Sequence, residues 1–235
     1  LCDRRQRQMC IRDSLYAVVF NRTTETDLTE DQLPQVDIYK YKQVIFVGDS
    51  RTEFMENVLT GMGESATKNV KFVCSAGKGL DWFATTGWAQ LYSIVQHDSN
   101  SILSKKTAVI FNFGVNDLSK SADYAEYYNW IAPQLKSKGC ELYFMSVNPV
   151  NRLMLPNAGR ADRSEAAVRS FNQYMKANLS SAYTYIDMYS YLKSTGYSFA
   201  SDHYGTGTVD DGLHYTTRTY KRIFAKCMDS LRVPA

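Results

Sequence analysis

The chain has few histidines, no closely spaced cysteine pair, no long apolar run and almost no surplus charge. Each shortage narrows what it can be. Its five cysteines, Cys2, Cys10, Cys74, Cys140 and Cys227, are odd in number and widely separated. No CxxC pair occurs, which argues against a zinc ribbon or a thioredoxin-like motif. Cys74 and Cys140 adjoin apolar, strand-like runs and Cys227 falls in a late helical pattern, so these three read as buried thiols. No stretch approaches the roughly 18 consecutive apolar residues expected of a membrane span. The run at 15–20 is shorter than the core of a signal peptide, about 7–15 residues. Net charge is only +3, and the first fourteen residues supply much of it, with Arg4, Arg5, Arg7 and Arg12 against Asp3 and Asp13. The remaining body offers no basic stripe for nucleic acid or an anionic membrane.

What is present is a 235-residue chain, 44% hydrophobic, with 17 Tyr, 11 Phe and 3 Trp. That length suits one domain with a large core. Tyrosine in such numbers fits a lined groove or, more simply, a Tyr-rich core and surface. Residues 1–14 are foreign in character and read as translated adapter sequence, so that a native N-terminus and any export signal would be missing. Residues 15–42 form a polar lead-in, and the globular domain is expected over 43–235.

Within that domain, short apolar runs alternate with helical patterns. Residues 43–47 (QVIFV) read as a strand that ends in Gly48-Asp49-Ser50, followed by Phe54, Met55, Val58, Leu59 and Met62 at helical spacing. Further strands are expected at 70–74, 108–113, 141–147 and 184–187. Helices are expected from the turn after 113 to about 135, over 163–179 and over 217–231. Continuous apolar strands alternating with helices predict a parallel sheet covered on both faces. Five of them predict an α/β fold, a flavodoxin-like three-layer α/β/α sandwich. In such sheets ligands bind beyond the carboxyl ends of the strands. The polar and glycine-rich motifs here all follow strand ends and so share one rim.

Several of those motifs suit nucleophilic chemistry, and each has a plainer reading. Ser50 follows a buried strand and opens a helix, where backbone N–H groups point outward and favour an oxyanion; equally, it suits a helix N-cap. His214 is one of three histidines, with His97 and His203. Asp211 precedes it by three residues across a glycine turn, close enough to orient one ring nitrogen, although a surface Asp–His contact would have the same spacing. Asn116 beyond the third strand could donate to an oxyanion or serve only as a turn residue. Gly77 and Gly79 could let a backbone N–H approach a ligand, but no P-loop string is present.

Taken in chain order, Gly48-Asp49-Ser50, the Gly77–Gly79 turn, Gly114-Val115-Asn116-Asp117 and Asp211-x-x-His214 resemble, block by block, the SGNH (GDSL-like) hydrolases over residues 43–225. The resemblance implies the same three-layer fold and no metal or organic cofactor. It implies Ser50 as nucleophile, His214 as general base and Asp211 as its orienting acid. The oxyanion hole it implies combines the Ser50 N–H, the Gly79 N–H (Gly77 being the alternative) and the Asn116 side chain. Two positions depart from the family pattern. Arg51 stands where the commonest string has Leu, and Ser75-Ala76 stand where an Asn often precedes the second-block glycine. As a pocket residue Arg51 would favour an anionic acyl or sugar group; the plainer reading makes it a solvated helix residue.

The resemblance implies ester hydrolysis. With no long apolar lid segment, and with aromatics able to stack on sugars or hold short acyl chains, short acyl esters, acetyl foremost, on a small molecule or a glycan are expected. A general short-chain esterase or lysophospholipase is the near alternative. Trp82, Phe83, Trp88 and Tyr215 are candidate rim aromatics, and Asn148 a candidate polar contact. An acyltransferase using the same residues, or a glycan-binding protein that keeps the scaffold without catalysis, are the alternatives. A secreted or cell-surface bacterial setting suits the Tyr/Ser/Asn-rich composition and the export common among such proteins.

Overall fold

A computed structural model of the protein describes residues 27–37, 40–98, 106–155 and 163–231. The basic segment 1–14 and the lead-in up to residue 26 lie outside the described residues. Strands β1 (Tyr41–Gly48), β2 (Val70–Cys74), β3 (Lys106–Asn112), β4 (Cys140–Met145) and β5 (Tyr183–Ile186) form one parallel sheet in the order β2-β1-β3-β4-β5. This is the flavodoxin-like order, and its switch point lies where β1 and β3 run side by side.

The apolar strand runs are continuous because both faces of the sheet are covered. Successive side chains point to opposite faces. Val44, Phe46, Ala108, Ile110, Tyr143 and Met145 join one buried cluster, while Ile45, Val47, Val109, Phe111, Leu142 and Phe144 join the other. Helices α1 (Ser50–Met62), α5 (Met188–Thr195) and α6 (Thr217–Ser230) cover the first face. The second face is covered by α2 (Trp88–Asp98), α3 (Ser121–Ser137) and α4 (Glu165–Asn178). A helical turn at Leu80–Trp82 and a π-helical turn at Phe83–Gly87 lead into α2. Among the described residues no helix is long and apolar enough to cross a membrane.

The five strands and helices α1, α3, α4 and α6 follow the apolar pattern, several ends shifting by one or two residues, while α2 occupies a stretch that reads only as aromatic. Helix α5 has no counterpart in that pattern. It has eight residues, buries only Met188 and Leu192, and is started by Asp187, whose carboxylate accepts the Ser190 N–H at 3.1 Å. A single apolar pair four residues apart is too little periodicity to register in a sequence.

Candidate active site

The site is assembled at the carboxyl ends of β1 and β3. Gly48 ends β1 opposite Asn112 of β3 and Cys74 of β2. A Cβ at position 48 would collide with the Thr52 side chain, so the chain turns here only with glycine. Asp49 then caps α1, its carboxylate accepting the Arg51 N–H at 3.0 Å. Ser50 is therefore the first residue of the helix and not its cap. Among the described residues nothing accepts a hydrogen bond from the backbone N–H of Ser50 or of Gly79.

His214 reaches this point from the far end of the chain. Its Nε2 lies 2.9 Å from Ser50 Oγ, and its Nδ1 lies 2.6 Å from Asp211 Oδ2. The three-residue spacing works because the Asp211 carboxylate does two things at once. Oδ1 accepts the backbone N–H groups of Leu213 and His214, both at 2.8 Å, while Oδ2 faces the ring. Burial opposes ionisation of Asp211, but the hydrogen bonds from the His214 ring and backbone, with that of Leu213, outweigh it and hold the carboxyl below its ordinary range. An ionised carboxylate only accepts, so Nδ1 carries the proton and Nε2 is left to accept from the serine hydroxyl.

The surroundings fix this relay. Gly212 adopts φ +73°, and a Cβ there would also strike the Asn151 carbonyl. The two loops are stitched together by Asn151 N–H to Gly212 O (2.9 Å) and by the Asn151 amide to Asp210 (3.0 Å). The main chain beside His214 is held by Ala200 N–H to His214 O and Thr216 N–H to Ser198 O, both 2.9 Å, around a Phe199–Tyr215 bridge. Phe54 on α1 stacks on the His214 ring with centroids 4.1 Å apart.

Arg51 requires correction on both counts. It is 2% exposed, neither solvated nor open to a substrate. Its guanidinium donates to the carbonyls of Leu213, Asn148 and Pro149, each at 3.0 Å, and lies 5.3 Å from the Tyr215 ring. An arginine fork matches three converging carbonyls that a lysine could not satisfy together. Arg51 thus ties the start of α1 to the His214 loop and to the loop after β4. Tyr215 is likewise a core residue, fully buried with its hydroxyl donating to Pro149 O, and Phe83 is fully buried among core rings. Trp82 and Trp88 are half-buried, packed against the core. Asn148 is 1% exposed, and among the described residues neither its Nδ2 nor its Oδ1 has a hydrogen-bond partner. A buried amide left so costs free energy unless a water or ligand atom meets it.

On the other side of Ser50, the turn after β3 meets the turn after β2. The Asn116 amide donates to Lys78 O at 2.7 Å, which sets it against the peptide unit leading into Gly79. Asp117 accepts the Leu80 N–H at 2.9 Å and the Tyr124 hydroxyl at 2.7 Å. A Cβ at Gly79 would collide with that carboxylate. Gly77, at φ +71°, has open space around it. The pairing of the turns therefore involves Gly79 directly and Gly77 only through the chain. Arg163, which no sequence pattern singled out, touches Val115 O and Asn116 Oδ1. Among the described residues no group of three or more His, Cys, Asp and Glu side chains could hold a metal ion.

The cap residue titrates unusually. Burial pushes the Asp49 carboxyl up to about 6, against the pull of the Arg51 guanidinium and N–H. A folded-state value above the ordinary aspartate value of about 4 means that the folded protein holds this proton more tightly than the unfolded chain. The contribution of Asp49 to stability is then greatest in acid, falls as pH rises from about 4 to about 6, and is level above that. Asp49→Asn keeps an acceptor for the Arg51 N–H but cannot ionise. Relative to the wild type, the variant should gain stability as pH is raised from 4 to 7 in thermal melts. A difference in melting temperature that stays constant over that range would contradict the assignment.

Residues 44–227 match the family model of the GDSL-like lipase/acylhydrolases. Among curated proteins no sequence match is found. Solved structures share the fold at low identity. A Slackia heliotrinireducens protein assigned as an SGNH hydrolase is 13% identical, with TM-score 0.56 over 82% of this chain and 100% of that one. A Bacteroides fragilis protein assigned as an acylhydrolase is 16% identical, with TM-score 0.52 over 92% and 94%. An acetyl xylan esterase is 11% identical, with TM-score 0.51 over 81% and 100%.

Proposed function

The chain belongs to the GDSL-like lipase/acylhydrolase family, whose chemistry is hydrolysis of ester bonds, and from that premise we propose that it is a serine esterase acting through Ser50, His214 and Asp211 on short acyl esters, acetyl foremost. The observation that carries this reading is the unbroken relay from Ser50 Oγ to His214 Nε2 (2.9 Å) and from His214 Nδ1 to Asp211 Oδ2 (2.6 Å).

In the proposed reaction His214 Nε2 takes the Ser50 proton as the hydroxyl oxygen attacks the ester carbonyl. Charge develops on the carbonyl oxygen and is met by the N–H groups of Ser50 and Gly79 and by the second Asn116 amide hydrogen, the first being held by Lys78 O. The imidazolium protonates the departing alcohol, and Asp211 stabilises it meanwhile. Water then attacks the acyl-serine through the reverse sequence, with His214 again accepting the proton. The Asn148 amide, 1% exposed and without a hydrogen-bond partner among the described residues, is assigned to a buried water and not to substrate.

The acetyl xylan esterase with the same fold makes an acylated glycan the substrate class to test first. A second reading has its own support. Leu153, Met154 and Val209 are exposed by 77%, 45% and 59% on the two loops joined at Asn151 and Gly212. Apolar side chains presented there would favour a longer acyl chain.

A series of p-nitrophenyl acetate, butyrate and octanoate separates the two. Highest kcat/KM on acetate is expected, together with labelling of Ser50 by a fluorophosphonate. A preference for octanoate would support the second reading. Absence of both turnover and labelling in folded protein would overturn the esterase assignment. Product carrying an added acceptor alcohol in place of free acid would instead identify an acyltransferase.

A further inference from the structure

We propose that Arg163 is a positioning residue that fixes which end of the Asn116 carboxamide faces the reacting carbonyl. The proposal deepens the esterase reading above and rests on it. Arg163 stands immediately before Ser164, the cap of α4, and is 7% exposed. Its guanidinium grips the Gly114–Asp117 turn at two successive residues. Nε donates to Val115 O and Nη2 donates to Asn116 Oδ1, both at 2.7 Å.

The chemistry of the two groups determines the orientation. A carboxamide has a donor end and an acceptor end of nearly equal size, so shape alone does not choose between its two orientations. A guanidinium only donates and stays charged at any working pH. It therefore demands Oδ1 of Asn116. Nδ2 must then point the other way, where one hydrogen meets Lys78 O at 2.7 Å and the other remains for an oxyanion. The reversed amide would set donor against donor at Arg163 and carbonyl against carbonyl at Lys78. The charge also polarises the carboxamide and strengthens Nδ2–H as a donor, since hydrogen bonds to a charged group are stronger and chains of them reinforce one another.

The experiment uses the full chain and p-nitrophenyl acetate. Removing an oxyanion donor outright costs about 100–1000-fold in kcat. Arg163→Met, which leaves the donor present but unoriented, should lower kcat roughly 10- to 100-fold with KM within about twofold. Arg163→Gln can still donate to Asn116 Oδ1 and should recover part of the loss. In an Asn116→Ala background, Arg163→Met should have little further effect, because the group it orients is gone. A second readout is independent of turnover. The two Asn116 side-chain amide protons, assigned by their loss in Asn116→Ala, give separate NMR signals in the wild type and in Arg163→Met alike, because rotation about the amide C–N bond is slow. In Arg163→Met both should move toward the shifts of an exposed asparagine, as the fixed contacts at Oδ1 and Nδ2 are lost.

Full activity in Arg163→Met, an equal loss with and without Asn116, or unchanged amide signals would each overturn the proposal. Should Arg163→Met fail to fold by circular dichroism, Arg163→Gln carries the same comparisons, and activity below that of the wild type with altered amide signals is then the expected result. Wild-type protein that hydrolyses no ester would count against the esterase reading alone, while the amide signals would still decide the role of Arg163.

Discussion

Replacing Ser50 with alanine should lower kcat on p-nitrophenyl acetate by a factor on the order of a million, leaving only the acceleration that binding and oxyanion stabilisation supply. The protein should remain folded. Ser50 is buried, yet its side chain makes one described hydrogen bond, to His214 Nε2. The capping of α1 belongs to Asp49, so the substitution removes no cap. Losing one hydrogen bond costs about 1 kcal/mol, which for a chain of this size shifts the melting temperature by about 2–4 °C. Kinetics and a thermal melt on the same preparation test both halves. An alanine variant that keeps a tenth of the wild-type rate would dismiss Ser50 as nucleophile. A variant that loses activity only by unfolding would leave it a structural residue.

The second large effect is expected from Asp211→Asn. In a serine triad the equivalent exchange lowers kcat by about 10⁴-fold with geometry preserved, and the hydrogen bonds here give the reason it should do so again. The asparagine Oδ1 can still accept the N–H groups of Leu213 and His214, so the turn should survive. Its Nδ2 would then face His214 Nδ1, where Asp211 Oδ2 now lies at 2.6 Å. A donor at that place turns Nδ1 into an acceptor and moves the ring proton to Nε2, which then cannot take the proton of Ser50. Because Asp211 is held below the ordinary carboxylate range, the wild type keeps its acceptor through mildly acidic pH. The deficit of the variant should therefore persist from pH 5 to 9. Measuring kcat/KM across that range decides the matter; a variant within tenfold of the wild type would mean that Asp211 does not set the tautomer.

Much of the fold was legible because the driving pattern is local. Five apolar runs, each short and each followed by polar or glycine-rich turns, are what a doubly covered parallel sheet requires of its strands. The placement of the motifs after strand ends was legible for the same reason. Helix α5 was not, since eight residues with one buried pair carry too little periodicity. Nor was the role of Arg51. Beside Ser50 in sequence, an arginine reads as solvent-facing or substrate-facing, because charge is costly to bury. Only the convergence of three carbonyls from residues 148, 149 and 213 makes its burial favourable, and no local pattern encodes that convergence. Tyr215 and Phe83 misled in the opposite direction, because an aromatic side chain near a rim motif carries no mark of which way it points.

The sequence by itself determined the sheet, the longer amphipathic helices α1, α3, α4 and α6 that cover it, and the short-range devices. These include the Gly48 turn, the Asp49 cap and the Asp211–His214 pair, all of which act between residues at most four apart along the chain. The tertiary structure alone decided what meets across the rim. It brought His214 to Ser50, 164 positions away, and Asn116 to the Gly79 peptide unit. It also buried Arg51 and Arg163 as clamps. The division has a physical cause: turns, caps and amphipathic faces are set by local geometry, whereas a buried guanidinium or an aligned imidazole is stable only when acceptors distant in sequence converge on it.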